Sequence, residues 1–231
     1  MIIKGFQPTT LIDYPGKIAC IVFVTSCNFR CGFCYNKKLV DDTPELNEIS
    51  QEEILEFLEK RKVLLDGVVI TGGEPTLHND LPDFIAKVKD KGFSVKLDTN
   101  GTNPEMVKKL IDDKLIDYIA MDIKNSPEKY SETTNVKVNM EKINETIKLI
   151  RNSGLDYEFR TTAFPRMMTK EDFLKIGEWL KGSKKYCIQQ FKSMGDLIDI
   201  NFLNEKMYSE PDLNEIKKLL EPYFDKIEVR I

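Results

Sequence analysis

Ile18-Ala-Cys-Ile-Val-Phe-Val24 runs within three residues into Cys27-Asn-Phe-Arg-Cys31-Gly-Phe-Cys34. The first segment is apolar without interruption, the pattern of a strand buried on both faces in a parallel sheet covered by helices. The thiols begin where that strand ends. Parallel α/β proteins place their chemistry at the carboxyl ends of their strands, so this stretch predicts a fold class and a site together.

Outward from it the pattern repeats. Strands are predicted at 18–24, 67–71, 94–98, 117–122, 157–162 and 186–190, with a further one at 226–230. Helical patterns lie between them at 51–63, 81–91, 104–113, 139–152, 170–181 and 211–222. Ser50 with Glu53 reads as a capping box, Thr169 as an N-cap, and Pro82, Pro104 and Pro211 as first-turn prolines. Gly92 and Gly154 read as stops. No linker divides the chain, so a single domain over 1–231 is expected, with an N-terminal segment 1–17, a βα core 18–191 and an extension 192–231. A βα repeat of this kind builds either a doubly wound sheet or a partial (β/α)6 barrel.

The polar residues favour the barrel. After the cysteine loop come Thr71-Gly-Gly-Glu-Pro-Thr76, Asp98-Thr-Asn-Gly101, Asp122 with Lys124, Arg160, and Gln189-Gln-Phe-Lys192. Each falls at or near a predicted carboxyl end, and such contributions converge best when the sheet curls around one centre.

Composition removes several function classes. The 231 residues carry 34 basic and 38 acidic side chains, a net charge of −4, so no strong positive field draws the chain to nucleic acid or to an anionic membrane. No apolar run approaches the roughly 20 residues of a membrane span, and Met1-Ile-Ile-Lys-Gly-Phe6 is not a signal peptide. A cytoplasmic protein is expected. A single histidine, His78, excludes a site of several imidazoles.

Five cysteines without a secretion signal argue against a disulfide framework. Cys20 and Cys187 sit in apolar runs and read as small core residues. Cys27, Cys31 and Cys34, spaced C-x3-C-x2-C, read as metal ligands, since thiolates are soft donors for iron or zinc. Zinc would take a fourth ligand such as His78 or Cys187. A compact triplet suits an iron–sulfur cubane better, each thiolate taking one iron corner and one iron remaining without a protein donor.

The spacing with an aromatic before the last cysteine, Phe33, followed one strand later by Gly72-Gly-Glu-Pro75, resembles the radical S-adenosylmethionine (SAM) superfamily. Further stretches resemble its glycyl-radical-enzyme activase branch: Gly5-Phe-Gln-Pro-Thr-Thr-Leu-Ile-Asp-Tyr-Pro-Gly16, Tyr35-Asn36, Leu97-Asp-Thr-Asn-Gly101, Met121-Asp-Ile-Lys124 and Arg160 to Pro165. Within that branch the chain is most similar to anaerobic ribonucleoside-triphosphate reductase activating proteins. It departs from the pyruvate formate-lyase activases at Tyr14-Pro-Gly16, at Tyr35 in place of a histidine, and at Gln189-Gln-Phe191.

The resemblance implies one [4Fe-4S] cluster on Cys27, Cys31 and Cys34, its open iron binding the amino and carboxylate groups of SAM. It implies reductive cleavage of SAM to methionine and a 5′-deoxyadenosyl radical, which takes a hydrogen atom from a glycine of a partner. The partner implied is an anaerobic ribonucleotide reductase, with flavodoxin or ferredoxin as electron donor. Phe33 is expected to limit water access, the carbonyls of Gly72 and Gly73 with Glu74 to accept from the SAM ammonium, and Lys124 and Arg160 to offset the carboxylate and cluster. Asp98, Thr99 and Asp122 resemble a monovalent-cation site. Plainer roles compete: a βα turn for Gly72-Gly-Glu74, capping by Asp98 or Asn100, and an ion pair of Arg160 with Asp98 or Asp122. A radical SAM enzyme for a small molecule and a zinc-binding, non-redox protein are the alternative functions.

Overall fold

A computed structural model describes residues 1–192 and 195–231. The fold is α/β, and the eight strands among these residues hydrogen-bond in one sheet in chain order, β1 to β8. They are β1 (Ile3–Thr10), β2 (Ala19–Val24), β3 (Gly67–Gly72), β4 (Ser94–Thr99), β5 (Tyr118–Asp122), β6 (Asp156–Ala163), β7 (Ser183–Gln190) and β8 (Phe224–Arg230). The helices are α1 (Lys37–Val40), α2 (Gln51–Lys60), α3 (Leu81–Asp90), α4 (Pro104–Asp112), α5 (Tyr130–Thr134), α6 (Met140–Asn152), α7 (Lys170–Leu180) and α8 (Glu210–Leu220). Strands that follow one another without a reversal of order lack the switch point of a doubly wound sheet. This is the order of a partial (β/α)6 barrel, with β2 to β7 as its six βα strands.

The chain divides into two compact units, Met1–Asn28 with Asn36–Ala120 and Glu141–Asp156, and Phe29–Tyr35 with Met121–Met140 and Tyr157–Ile231. Their limits do not follow the expected divisions after residues 17 and 191.

In the first unit β2 pairs parallel with β3, and β3 with β4. Ala19, Cys20, Ile21, Val22 and Val24 are all buried, so both faces of β2 are covered, as its unbroken apolar run requires. Ile21 packs with Tyr14, Val69, Tyr118 and Ala120 in one cluster. Each aliphatic side chain buried this way contributes on the order of 1.5–3 kcal/mol. The capping box of Ser50 and Glu53 forms at the start of α2, and Pro82 and Pro104 stand in the first turns of α3 and α4.

β1 was not predicted. It pairs antiparallel with β2 at the sheet edge, with register shifts on either side of its central residues. Its sequence, Ile-Lys-Gly-Phe-Gln-Pro-Thr-Thr, contains glycine and proline and never alternates cleanly. Only an edge strand tolerates Pro8, because a central one would lose a ladder donor.

In the second unit β6, β7 and β8 pair parallel. Glu158 is fully buried and receives both terminal nitrogens of Arg230 at 2.7 and 2.6 Å, with Lys185 Nζ at 3.1 Å. The three strands are thus joined by a desolvated ion-pair network as well as by their ladders. Tyr186 stacks on Phe224 and donates to Thr161 at 2.6 Å. Thr169 with Asp172 forms a capping box on α7, and Ser209 with Asp212 a further one on α8. Trp179 is half-buried and meets the Tyr130 ring edge-on.

Candidate functional site

The polar residues at the strand ends form one constellation in each unit. In the first unit it is built on the turn after β3. Gly72 has φ +117°, and a Cβ there would fall 2.4 Å from the Val24 carbonyl oxygen. A Cβ at Gly73 would fall 2.0 Å from the carbonyl oxygen of Ser26. Only glycine permits this approach. The resulting contact is a backbone one: Gly73 N–H donates to Val24 O at 2.8 Å and Glu74 N–H to Ser26 O at 2.7 Å. The Gly-Gly turn is therefore stitched to the residue immediately before Cys27.

Glu74 is held by protein donors. Its carboxylate is 1% exposed and already takes four donors: Thr76 N–H at 3.1 Å, Thr76 Oγ1 at 2.5 Å, Thr99 Oγ1 at 2.6 Å and Asn100 N–H at 2.6 Å. Burial raises its pKa above the ordinary carboxylate value, against the pull of those donors. It brackets the ends of β3 and β4. Gly72 O also accepts from Asn36 Nδ2 at 3.3 Å.

Asn100 is a residue the sequence reading considered only as a cap. Its Nδ2 donates to Asn28 Oδ1 at 2.8 Å and lies 3.9 Å from Cys27 Sγ, within reach of a sulfur acceptor. The signal was its place one residue past Thr99 in Asp-Thr-Asn-Gly. His78 Nε2 sits 3.0 Å from the Thr25 carbonyl. Asp98 accepts from Lys96 Nζ.

In the second unit the constellation gathers Cys31, Phe33, Cys34, Asp122, Lys124 and Arg160. Cys34 N–H donates to Cys31 O at 3.0 Å, and the segment after β7 holds the loop through Ile198 N–H to Cys34 O at 3.0 Å and Asp199 N–H to Gly32 O at 2.9 Å. A Cβ at Gly32 would lie 2.6 Å from the Phe202 ring. Phe33 is buried against Phe164 and Phe202, at centroid distances of 5.1 and 6.3 Å.

Asp122 receives Arg160 Nε and, at 2.9 Å, Lys124 Nζ. Ile123 N–H donates to Arg160 O at 2.8 Å, which fixes the two strand ends side by side. Burial would raise the Asp122 pKa, but Arg160 and Lys124 outweigh it and hold the carboxyl well below the usual range. Burial would lower that of Lys124, but Asp122 and the nearby Cys31 raise it. Asp122 thus accepts from two cations at once. Burial pushes the Cys31 thiol up to about 11, with Lys124 opposing.

The oxygens expected to hold a monovalent cation all have protein partners: Asp98 has Lys96, Thr99 has Glu74, and Asp122 has Lys124 and Arg160. Among the described residues no three or more His, Cys, Asp or Glu side chains are gathered as a metal-ion site. The donors offered by the cysteine loop itself are thiols with no carboxylate or imidazole among them. That donor set fits iron–sulfur chemistry and not a hard cation.

The Radical SAM superfamily matches residues 21–180, and the chain belongs to it. Members of this family carry a [4Fe-4S] cluster and SAM. A protein of Methanocaldococcus jannaschii named as a glycyl-radical enzyme activating enzyme is 36% identical over 99% of this chain and 95% of its own length. A second so named from the same organism is 31% identical over 73% of this chain and 64% of its own. Among solved structures, Streptococcus suis SuiB bound to the precursor peptide SuiA matches with a TM-score of 0.71 at 15% identity, over 91% of this chain and 48% of that one, a likeness of fold. No helix among the described residues is long and apolar enough to cross a membrane.

Proposed function

We propose that this protein is a radical SAM activase that installs a glycyl radical in a partner enzyme, an anaerobic ribonucleotide reductase, in the cytoplasm. The observation that carries the reading is the relative named for glycyl-radical enzyme activation, which is similar along 99% of the chain. The thiols of Cys27, Cys31 and Cys34 would hold the cluster, leaving an iron without a protein ligand. When bound, cluster and SAM supply reductive cleavage of the sulfonium and removal of a hydrogen atom from the partner's glycine. Flavodoxin or ferredoxin would feed the electron.

The chain's own residues would bind, orient and exclude water. The Gly72 and Gly73 carbonyls would accept from the SAM ammonium, in a turn whose packing on Val24 and Ser26 only glycine permits. Lys124 and Arg160, both donating to Asp122, would offset the SAM carboxylate. Asp122 holds both cations in place. Phe33, locked by Phe164 and Phe202, keeps its side of the cysteine loop dry. Asn100 donates toward Cys27 and so tunes the sulfur.

The test is anaerobic reconstitution, addition of reductant, SAM and the ribonucleotide reductase encoded in the same genome, and electron paramagnetic resonance (EPR). A glycyl doublet on the reductase supports the proposal. Turnover of SAM with a small metabolite and no doublet would favour the small-molecule alternative, and zinc with no acid-labile sulfide the zinc alternative.

A further inference from the structure

β4 carries Lys96 and Asp98 two residues apart, hence on the same face of the strand. The Lys96 side chain is 2% exposed and that of Asp98 11%. Lys96 Nζ donates to the Asp98 carboxylate, and it lies 6.0 Å from the centre of the Tyr118 ring. A lysine this deeply buried is almost always held by a partner. Here the partner is the aspartate that opens Asp98-Thr-Asn-Gly101.

We infer that the Lys96 ammonium is the resident cation at the end of β4, occupying at Asp98 the place where an inorganic monovalent ion would otherwise sit. The neighbouring oxygens agree. The Thr99 hydroxyl donates to Glu74 at 2.6 Å and accepts Gly101 N–H at 3.1 Å, so the protein itself orients it. The tethered ammonium neutralises Asp98 at any salt concentration and needs no ion from solution. Lys96 thereby acts as a positioning residue, holding the carboxylate and the strand end that carries Thr99 and Asn100. The inference does not depend on which enzyme is the partner.

The test uses the reconstituted holoenzyme in choline chloride and in potassium chloride. Thallium(I) NMR reports bound monovalent cation, and the change that SAM causes in the EPR signal of the reduced protein reports SAM affinity. The wild-type protein is expected to bind no thallium and to change its SAM affinity by less than about twofold between the two salts. Lys96→Ala is expected to bind thallium, to melt at a lower temperature in choline than in potassium, and to recover SAM affinity in potassium from a loss of about tenfold in choline. A merely structural lysine would not yield a variant rescued by potassium. Bound thallium or a potassium-dependent SAM affinity in the wild type overturns the inference, as does a folded Lys96→Ala that neither binds thallium nor recovers. Should that variant not fold, the wild-type result decides alone.

Discussion

The backbone N–H of Asn100 donates to the buried Glu74 carboxylate at 2.6 Å, tying the end of β4 to the turn after β3. With Thr76 and Thr99 supplying the other donors, this carboxylate is the hub of its strand ends. Glu74→Ala would strand several buried donors, each costing about 1–3 kcal/mol when unpaired. The variant is expected to lose at least about 3 kcal/mol in urea denaturation. Glu74→Gln keeps the shape but turns an amide NH2 toward donors, and should fall between the two.

The glycine turn allows a sharper test. A Cβ at Gly73 would sit 2.0 Å from Ser26 O, so Gly73→Ala must displace the turn or the residue before Cys27. SAM binding, followed by the EPR of the reduced protein, should be lost. Gly154→Ala, at φ +77° with no atom within 4 Å of the added carbon, is the control for a glycine substitution that meets no neighbour. It should cost only about 1–2 kcal/mol of stability and leave SAM binding unchanged.

Asn100 reaches Cys27 Sγ at 3.9 Å. Hydrogen bonds to cluster sulfurs raise the reduction potential by stabilising the reduced, more negative state. Asn100→Ala should therefore give a more negative potential in an EPR-monitored redox titration. A potential unchanged or raised would remove Asn100 from this role.

Glu158 supplies the pH dependence. Burial alone would raise its pKa, but the Arg230 hydrogen bonds and charge, with Arg160 and Lys185, bring it from 4.5 down to about 2. A carboxylate lowered in the folded state contributes stability above its unfolded pKa and loses it as the pH falls through the folded one. The contribution is on the order of 3 kcal/mol. The stability difference between wild type and Glu158→Gln should be full at pH 6, shrink below about pH 4.5, and vanish near pH 2. Denaturant titration of the metal-free protein at several pH values measures it.

The sequence shows the parallel strands and the helix caps because each has a local cause. The apolar run at 18–24 must be covered on both faces, and Ser50 with Glu53 or Thr169 before α7 needs only its own backbone. β1 was hidden because Gly5 and Pro8 break any pattern that an edge strand alone can tolerate. The cysteine spacing, the double glycine and the pairing of Arg160 with Asp122 were also legible, the last as one of two alternatives. The role of Glu74 was not. A carboxylate in Gly-Gly-Glu-Pro reads as a ligand until its partners at Thr99 and Asn100 are known, and those are some 25 residues away. Lys96 was missed for a similar reason, since one lysine in Val-Lys-Leu-Asp reads as a solvated strand position.

The claim that the chain takes hydrogen from a glycine is tested most directly by isotope transfer. The anaerobic ribonucleotide reductase would be produced with α-deuterated glycine and incubated with the reconstituted protein, SAM and reductant. Deuterium appearing in the 5′-deoxyadenosine by mass spectrometry, together with the glycyl doublet, is the predicted result. Unlabelled 5′-deoxyadenosine, formed at the same rate with and without the reductase, would contradict it.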